Sequence, residues 1–423
     1  MTKFTHFTYK ENSLYCENSS IKEIVENYNT PLYIYSYQSI LDQYQLLEEA
    51  FNPWKNLLCY AVKANTNKAI LKTLFNLGAG ADVVSGGELS RALMAGCDPQ
   101  KIVFSGVGKT EKEIESGIKN NILQFNVESE QELDAINNIA KQLGKKAPIA
   151  IRVNPDVDPK THPYISTGLK KNKFGVNHKQ ALALYAKAST LNHLSITGIS
   201  CHIGSQITET QPFYDAMVKI RELIDNLEKQ NITLNNIDIG GGMGIPYNQE
   251  KIPAAHDYAQ AIMTPLDGVK GTIILEPGRF LVGNSAALIT KVLYVKPSEE
   301  GLLFTIVDSG FNDLMRPMLY QAHHDIIPVT KEATTKDVIT NIEGPICESS
   351  DRFAKERKIP LQKQNDYLAI MSAGAYGSSM SSTYNSRGRP AEVLVKDNLF
   401  FLIKKADQLE DIIKNEVLPD FLN

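Results

Sequence analysis

The feature that most constrains the fold is a rhythm of short apolar runs that begins at residue 57 and ends at residue 275. Eight runs have the length and composition of buried strands: 57–62, 81–84, 101–104, 123–127, 148–153, 196–202, 236–239 and 272–275. Stretches with helical spacing separate most of them: 68–77, 87–95, 111–119, 130–143, 179–191 and 214–229. Such alternation predicts a parallel sheet with right-handed crossovers.

Two architectures fit this alternation. Eight strand–helix units suit a (β/α)8 barrel of the TIM type, whose usual size is about 250 residues. An open doubly wound sheet usually has fewer strands and a glycine-rich turn after its first strand. Lys63-Ala64-Asn65 follows the first predicted strand and contains no glycine, so we favour the barrel.

The pattern changes after about residue 280. Runs rich in β-branched residues occupy 287–295, 302–308, 338–343, 366–371, 391–396 and 398–403, and helical spacing returns only at 409–417. This predicts a C-terminal, mainly antiparallel β domain. Because chain termini often lie close together, we expect a barrel domain of 31–282 and a β-rich domain of 1–30 with 283–423.

Composition restricts the class of protein. The chain has 43% apolar and 22% charged residues, an ordinary balance for a soluble protein, and its net charge of -4 favours neither nucleic acid nor an anionic membrane. No apolar run reaches the ~18 residues of a membrane span, and no signal peptide is evident. The five cysteines have no metal-binding or disulfide spacing, so we expect no metal site and a cytoplasmic location.

Lys63 stands at the end of the first predicted strand. A lysine at a strand end is most simply a solvated surface residue, and the position of Lys63 taken alone favours that interpretation. A partly dry site, however, lowers the pKa of a lysine amine and allows it to form a Schiff base with a carbonyl. The ends of the other barrel strands, where barrel enzymes place their chemistry, decide between the two.

The loops after strands seven and eight have the composition of a phosphate site. Gly240, Gly241 and Gly242 follow strand seven, and Gly278 and Arg279 follow strand eight. Bare backbone can approach an anion closely, and barrels commonly bind phosphate at these two loops. A glycine triplet alone is as well explained by a tight turn. Its place beside Arg279 favours phosphate.

Two further strand ends carry polar side chains that suit a flat heteroaromatic ring. Glu276 ends an apolar strand, where it could hold a pyridine nitrogen protonated or form a structural salt bridge. His202, after strand six, could stack on a ring or be a hydrogen-bonded core residue. Together with Lys63 and the phosphate loops, these residues suggest pyridoxal 5'-phosphate as cofactor.

The motifs around these residues resemble a known family. YAVKAN (60–65), SGGEL (85–89), HIGSQ (202–206), GGGMG (240–244) and EPGR (276–279) are similar to the alanine-racemase-type (fold type III) barrel of pyridoxal-phosphate decarboxylases. DLMRPMLY (313–320), GPICESSD (344–351) and GAYG (374–377), with the segments 167–170 and 173–175, resemble the diaminopimelate decarboxylases. The resemblance extends from about residue 30 to about residue 400.

The resemblance implies a role for each matched residue. Lys63 would bond to the cofactor, His202 would stack on its ring and Ser205 would lie near its phosphate. Cys347 would donate a proton. The remaining matches would bind cofactor, substrate or both: Gly240, Gly241, Gly242, Glu276, Gly278, Arg279 and Tyr376 toward the cofactor, and Arg279, Arg316, Tyr320, Glu348 and Tyr376 toward the substrate. The family further implies a homodimer with shared active sites.

The activity that the resemblance implies is decarboxylation of meso-2,6-diaminopimelate to L-lysine, the last step of lysine biosynthesis. A distal arginine suits this substrate, because a bidentate arginine–carboxylate pair is strong and orientation-specific. The alternatives are decarboxylation of carboxynorspermidine or another basic amino acid, racemisation, and a non-catalytic cofactor-binding role. Two residues depart from the family pattern, Gly388 and Ser378, and both are expected to alter loops rather than ligands.

Overall fold

The computed structural model describes residues 4–159, 172–297, 301–332 and 335–422. The chain forms two compact units, one of Leu41–Pro246 with Glu250–Leu281, and the other of Met1–Ile40 with Tyr247–Gln249 and Val282–Asn423. Segment 167–170, one of the sequence motifs, lies outside the described residues.

The N-terminal region builds part of the second unit. A three-stranded antiparallel sheet is followed by a short helix and a buried strand: β1 (Phe7–Lys10), β2 (Ser13–Cys16), β3 (Ser19–Ser20), α1 (Ile21–Tyr28) and β4 (Leu32–Ser36). Helix α2 (Tyr37–Phe51) then leads into the barrel unit.

The barrel unit confirms the predicted (β/α)8 architecture. Its eight strands close in the order β10-β11-β12-β5-β6-β7-β8-β9, and every neighbouring pair is parallel. The strands are β5 (Asn56–Ala61), β6 (Gly80–Val83), β7 (Ile102–Phe104), β8 (Gln124–Val127), β9 (Ala147–Val153), β10 (Leu194–Cys201), β11 (Asn236–Asp238) and β12 (Thr272–Leu275).

Seven helices connect or follow these strands: α3 (Lys68–Asn76), α4 (Gly86–Met94), α5 (Glu111–Lys119), α6 (Glu130–Gln142), α7 (His178–Thr190), α8 (Gln211–Glu228) and α9 (Ala255–Met263). Polar side chains cap the N-termini of several of these helices. Thr110, for example, caps α5 and forms a reciprocal pair of hydrogen bonds with Glu113, which satisfies amide groups that the first helical turn leaves without partners. Helix α6 buries Leu133, Ile136 and Ile139, whose spacing of three residues places them on one face.

The second unit continues with α10 (Arg279–Val282), whose first three residues belong to the barrel unit, and then a sheet. Its elements are β13 (Ala286–Pro297), β14 (Leu303–Val307), α11 (Arg316–Tyr320), β15 (Ile326–Pro328), β16 (Asp337–Glu343), β17 (Arg352–Pro360), β18 (Tyr367–Ile370), β19 (Ala391–Lys396), β20 (Leu399–Lys404) and α12 (Leu409–Ile413). The nine strands are mostly antiparallel, with two parallel pairs, β14–β16 and β4–β19.

Strand β4 occupies the middle of this sheet. It pairs antiparallel with β13 and parallel with β19, and its residues are buried. The sequence analysis assigned residues 31–36 to the barrel domain, whereas the structure places them in the β sheet. A short apolar strand looks the same in a sequence whichever sheet it joins, so its partner is a matter of tertiary structure.

Among the described residues, no helix combines the length and apolar character needed to cross a membrane.

Candidate functional site

Lys63 lies in a single 3-10 turn, Val62–Ala64, directly after β5. Its Nζ is 3.2 Å from Oδ2 of Asp82, which lies near the end of the neighbouring strand β6. The Asp82 side chain is fully buried, whereas that of Lys63 is 41% exposed. The lysine therefore combines an anchored position with an accessible amine. Asp82 lies inside the second predicted strand, 81–84, and sequence analysis assigned it no role; its pairing with Lys63 depends on the three-dimensional structure.

The loops after β10 and β11 are tied to each other through His202. Nδ1 of His202 accepts the N–H of Gly241 at 3.2 Å, so a neutral ring carries its proton on Nε2. Burial, followed by the charges of Arg152 and Lys63, holds the pKa of His202 well below 6.5. The ring is therefore uncharged at neutral pH and presents an apolar face.

The glycine loop 240–242 needs glycine for two reasons. Gly240 and Gly242 have φ values of +68° and +118°, which other residues rarely adopt, and a Cβ on Gly241 would lie 2.2 Å from the carbonyl oxygen of Glu276. The N–H of Gly240 donates to Oδ1 of Asp238 at 3.0 Å, while its carbonyl accepts the N–H of Glu276 at 2.8 Å. Two of the three amide groups of the triplet thus already bond within the protein.

Arg279 and Ser205 form a second polar pair near the same strand ends. The Ser205 hydroxyl accepts Nη2 and Nε of Arg279 at 3.1 and 3.4 Å, and Arg279 is only 6% exposed. A Cβ on Gly278 would lie 3.0 and 3.1 Å from the side chains of Ala61 and Ala64, so the EPGR turn packs tightly against the segment around Lys63. The predicted phosphate residues therefore share one end of the barrel with Lys63.

Glu276 is buried immediately after β12 and belongs to a polar cluster inside the barrel. Its Oε1 accepts the Ser105 hydroxyl at 3.2 Å and the Asn126 amide at 3.3 Å, and the same amide donates to Asp238 at 2.7 Å. Burial, then the nearby charge of Asp238, raises the pKa of Glu276 well above its ordinary value. Burial likewise raises the pKa of Asp238 to about 6.

These residues fit pyridoxal phosphate. A primary amine follows the first barrel strand, a buried acid pairs with it, and an arginine–hydroxyl pair beside the bare backbone of the glycine loop offers donors to a phosphate. Oδ1 of Asp82, although buried, has no hydrogen-bond partner among the described residues. Such an atom indicates that the surroundings of Lys63 are suited to contact a further polar group.

The second unit holds the other predicted site residues, and Arg316 is the most firmly fixed of them. It is buried at the start of α11, its Nη1 lies 2.8 Å from Nε2 of His324, and its guanidinium lies 4.3 Å from the ring centroid of Tyr247. Nδ1 of His324 must donate to the Met371 carbonyl at 2.7 Å, so Nε2 accepts from Arg316. Sequence analysis did not single out His324 or Tyr247, since neither lies beside Arg316 in the chain.

Cys347 and Glu348 are exposed on the loop between β16 and β17. Glu348 accepts the hydroxyl of Tyr384. The buried carboxylate of Asp351 accepts the backbone N–H groups of Ile346 and Phe311, each at 2.7 Å, and so holds the loop against the segment before α11. The thiol and acid are therefore displayed on an ordered loop rather than packed in a core.

Tyr320 and Tyr376 are both half-buried in the second unit. Tyr376 has a φ of 57°, an unusual conformation for a bulky residue, and such strain is typical of functional sites.

The two departures from the family pattern have structural roles. Ser378 donates to the buried Glu392 at 2.6 Å. A Cβ on Gly388 would lie 2.3 Å from the Asp407 carbonyl oxygen, so glycine allows a close approach of two chain segments there.

The structure thus brings together one predicted set in the barrel, Lys63, His202, Ser205, Gly240, Gly241, Gly242, Glu276, Gly278 and Arg279. A second set, Arg316, Tyr320, Cys347, Glu348 and Tyr376, lies in the β-rich unit. The sequence analysis missed Asn126, Ser105 and Asp238. Their signal was present, because polar residues at alternate positions of short apolar strands point into a barrel.

Comparisons with known proteins identify the family. Residues 37–283 match the model of the family described as "Pyridoxal-dependent decarboxylase, pyridoxal binding domain". The diaminopimelate decarboxylase of Aquifex aeolicus is 50% identical over 97% of this chain and 97% of its own length. The enzyme of Haemophilus influenzae is 46% identical over 96% of this chain and 98% of its own.

Solved structures agree. The structure of diaminopimelate decarboxylase from Helicobacter pylori, complexed with L-lysine, is 45% identical in sequence and superposes with a TM-score of 0.90. The match covers 93% of this chain and 98% of the Helicobacter pylori chain. The M. jannaschii enzyme, also in complex with L-lysine, is 39% identical over 100% of both chains, with a TM-score of 0.95. The chain belongs to the diaminopimelate decarboxylases, within the pyridoxal-dependent decarboxylase family.

Proposed function

We propose that this protein decarboxylates meso-2,6-diaminopimelate to L-lysine and CO2 with pyridoxal 5'-phosphate as cofactor. The observation that carries the proposal is the arrangement at one end of the barrel: Lys63 paired with Asp82 at 3.2 Å, near a buried Glu276 of raised pKa. A surface lysine does not require such neighbours. The relatives described above are diaminopimelate decarboxylases, so the carboxynorspermidine alternative is not retained.

The barrel residues would hold the cofactor. Lys63 would hold it covalently, His202 would pack on its ring, and Glu276 would face its ring nitrogen. Ser205, Arg279, Gly278 and the glycine loop 240–242 would bind its phosphate. When bound, pyridoxal phosphate supplies an electron sink for the pair of electrons that CO2 leaves behind.

The residues of the β-rich unit would recognise the substrate and complete the reaction. Arg316 offers a bidentate donor to a carboxylate, and its contacts with His324 and Tyr247 fix the plane of the guanidinium. Glu348 would bind the distal ammonium group. Tyr320, Tyr376 and Arg279 would contribute further substrate contacts. Cys347 Sγ would donate the proton that replaces the lost carboxylate.

We further propose that the chain acts as a homodimer in the cytoplasm, with Cys347 and Glu348 serving the partner's site. Their exposure on an ordered loop supports this, because an exposed thiol and an exposed carboxylate are accessible to a second chain. Nucleic acid and membrane are not expected partners, given the net charge of -4.

The direct test measures CO2 and L-lysine released from meso-diaminopimelate by the purified protein with pyridoxal phosphate. Carboxynorspermidine, L-ornithine and L-lysine serve as comparison substrates. We expect turnover of meso-diaminopimelate and at most trace turnover of the others. Equal or faster release of CO2 from another amino acid would refute the proposed specificity.

The shared site has its own test. Lys63→Ala and Cys347→Ala are each expected to be inactive, but mixing and reassembling them in equal amounts should restore about a quarter of wild-type activity. Half of the random dimers are then mixed, and each mixed dimer has one intact site. No recovery from a mixture shown to exchange subunits would place both residues in a site formed by one chain.

A further inference from the structure

The inner carboxyl pair, Asp238 and Glu276, lies at the ends of two neighbouring strands of the barrel. Asp238 is the last residue of β11, and Glu276 follows β12 directly. Asp238 is 1% exposed and Glu276 is 8% exposed. One amide nitrogen, Nδ2 of Asn126, donates to both carboxyl groups, at 2.7 Å to Asp238 and at 3.3 Å to Glu276, so the two acids lie side by side. Two buried carboxylates this close repel each other, so without a compensating positive charge beside them the pair holds one proton.

The surrounding donors decide which carboxyl carries the charge. Asp238 receives the backbone N–H of Gly240 at 3.0 Å and the amide of Asn126 at 2.7 Å. Glu276 receives only longer bonds at its Oε1, from the hydroxyl of Ser105 at 3.2 Å and from Asn126 at 3.3 Å. Short hydrogen bonds favour the charged form of an acid. The negative charge therefore rests on Asp238 and the proton on Glu276.

The other charged and titratable groups near the pair leave this order unchanged. They are Lys63, Cys59, Asp82, Arg152, Cys201 and His202. The charge of Asp82 raises the pKa of both members, and that of Lys63 lowers the pKa of Glu276. Burial raises the pKa of both acids as well, so the order of the two rests on their hydrogen bonds, which are shorter at Asp238.

We propose that Asp238 is a positioning residue that keeps Glu276 protonated in the cofactor-free protein. The enzyme thus carries the proton that a bound pyridine nitrogen requires. The inference rests on the proposed function, in which Glu276 faces that nitrogen. The transfer is balanced: the O–H bond of Glu276 breaks, an N–H bond forms on the ring, and Glu276 gains the negative charge that offsets the new positive charge. Asp238 stays ionised throughout, so the positive charge on the ring nitrogen would be offset by Glu276 with a second negative group behind it.

The test is a pH titration of the full-length, cofactor-free protein labelled with 13C at the Glu and Asp carboxyl carbons, in which Glu276→Gln and Asp238→Asn assign the two signals. In the wild type we expect Glu276 to remain protonated at pH 7 and Asp238 to be ionised there. Removal of the adjacent charge in Asp238→Asn should lower the titration midpoint of Glu276 by about one pH unit or more. An unchanged midpoint would overturn the proposal.

Asn236→Ala is the matched control. Asn236 lies on the same strand, is also buried, and donates to Gln124 at 2.8 Å, so its loss breaks a buried hydrogen bond without changing a charge. We expect the Glu276 midpoint of this variant to match the wild type. An equal shift in both variants would show a merely structural effect and overturn the proposal.

The wild-type titration decides the question even if Asp238→Asn does not fold, because an ionised Glu276 beside a protonated Asp238 at pH 7 would reverse the assignment. A separate measurement tests the proposed function itself, in which Glu276 faces the ring nitrogen. If Glu276→Gln binds pyridoxal phosphate with wild-type affinity and an unchanged absorption spectrum, Glu276 does not face the ring nitrogen, whatever the carboxyl titrations show. With both proposals correct, Asp238→Asn also shifts the pH profile of the absorption of the bound cofactor.

Discussion

Gly241→Ala tests how closely the strand ends of the barrel are packed. A Cβ at this position would lie 2.2 Å from the carbonyl oxygen of Glu276 and 3.0 Å from its carbonyl carbon. Ordinary carbon–oxygen contacts begin near about 3.3 Å, so the two backbone segments must separate by about 1 Å. The φ of Gly241 lies outside the left-handed region, and alanine can adopt it. The substitution therefore isolates the steric effect.

The required separation breaks specific bonds. The N–H of Glu276 donates to the Gly240 carbonyl at 2.8 Å, and the N–H of Gly241 donates to His202 at 3.2 Å. A shift of about 1 Å takes either bond beyond useful range. Overpacking of this kind costs about 1–3 kcal/mol of unfolding free energy. A similar loss in cofactor binding corresponds to a roughly 5- to 150-fold weaker affinity.

Two measurements check this expectation: denaturant unfolding of the cofactor-free protein, and titration of that protein with pyridoxal phosphate followed by absorbance. Gly108→Ala is the control, because a Cβ there would meet no atom within 4 Å. We expect the control to match the wild type in both assays. A Gly241→Ala protein with wild-type stability and wild-type affinity would refute the close approach of the two loops and its part in cofactor binding.

Four further expectations follow from the site. Lys63→Ala should leave no pyridoxyl group attached after borohydride reduction and proteolysis, whereas the wild type should carry it on Lys63; a label elsewhere would move the attachment point. Cys347→Ala should retain the cofactor but lose on the order of 10²- to 10⁴-fold in turnover, and unchanged turnover would exclude it as the proton donor. Arg316→Lys should lower kcat/KM for meso-diaminopimelate about 10- to 100-fold because lysine loses the bidentate fork; an unchanged KM would remove it from the substrate site. Burial raises the pKa of Asp313 to about 7 from 3.8, so the folded protein binds this proton more tightly than the unfolded chain does. The free energy of unfolding, measured against that of Asp313→Asn, should therefore fall by at most about 4 kcal/mol as the pH rises from about 4 to 7. A rise over this range would contradict the assignment.

The barrel could be predicted from sequence because each strand is a compact apolar run between helical segments, and each boundary agrees with the structure to within about two residues. Strand β17 escaped prediction because its middle is charged, Lys355 to Lys358, and those side chains lie largely at the surface. Strand β4 was recognised as a strand, yet nothing in five residues indicates a partner more than 250 residues away.

The site shows the same division. Lys63 and Arg279 stand in short motifs, so local sequence was enough to single them out. The contact of His324 with Arg316 and that of Asp238 with Glu276 depend on backbone geometry that brings distant positions together. Polar residues inside short strands were the available signal for Asp238 and Asn126, and their hydrogen-bond partners required the three-dimensional structure.

The central position of β4 has a consequence for how the protein is made. On the ribosome, its first neighbour β13 emerges about 250 residues later and its second neighbour β19 about 355 residues later. At typical rates of synthesis the strand therefore waits roughly 20 to 70 s for its complete sheet. During that time an apolar strand with open edges is a site for aggregation. Translation products that stop before residue 391 would leave one edge of β4 without its native partner, and they should be the least soluble fragments of the chain.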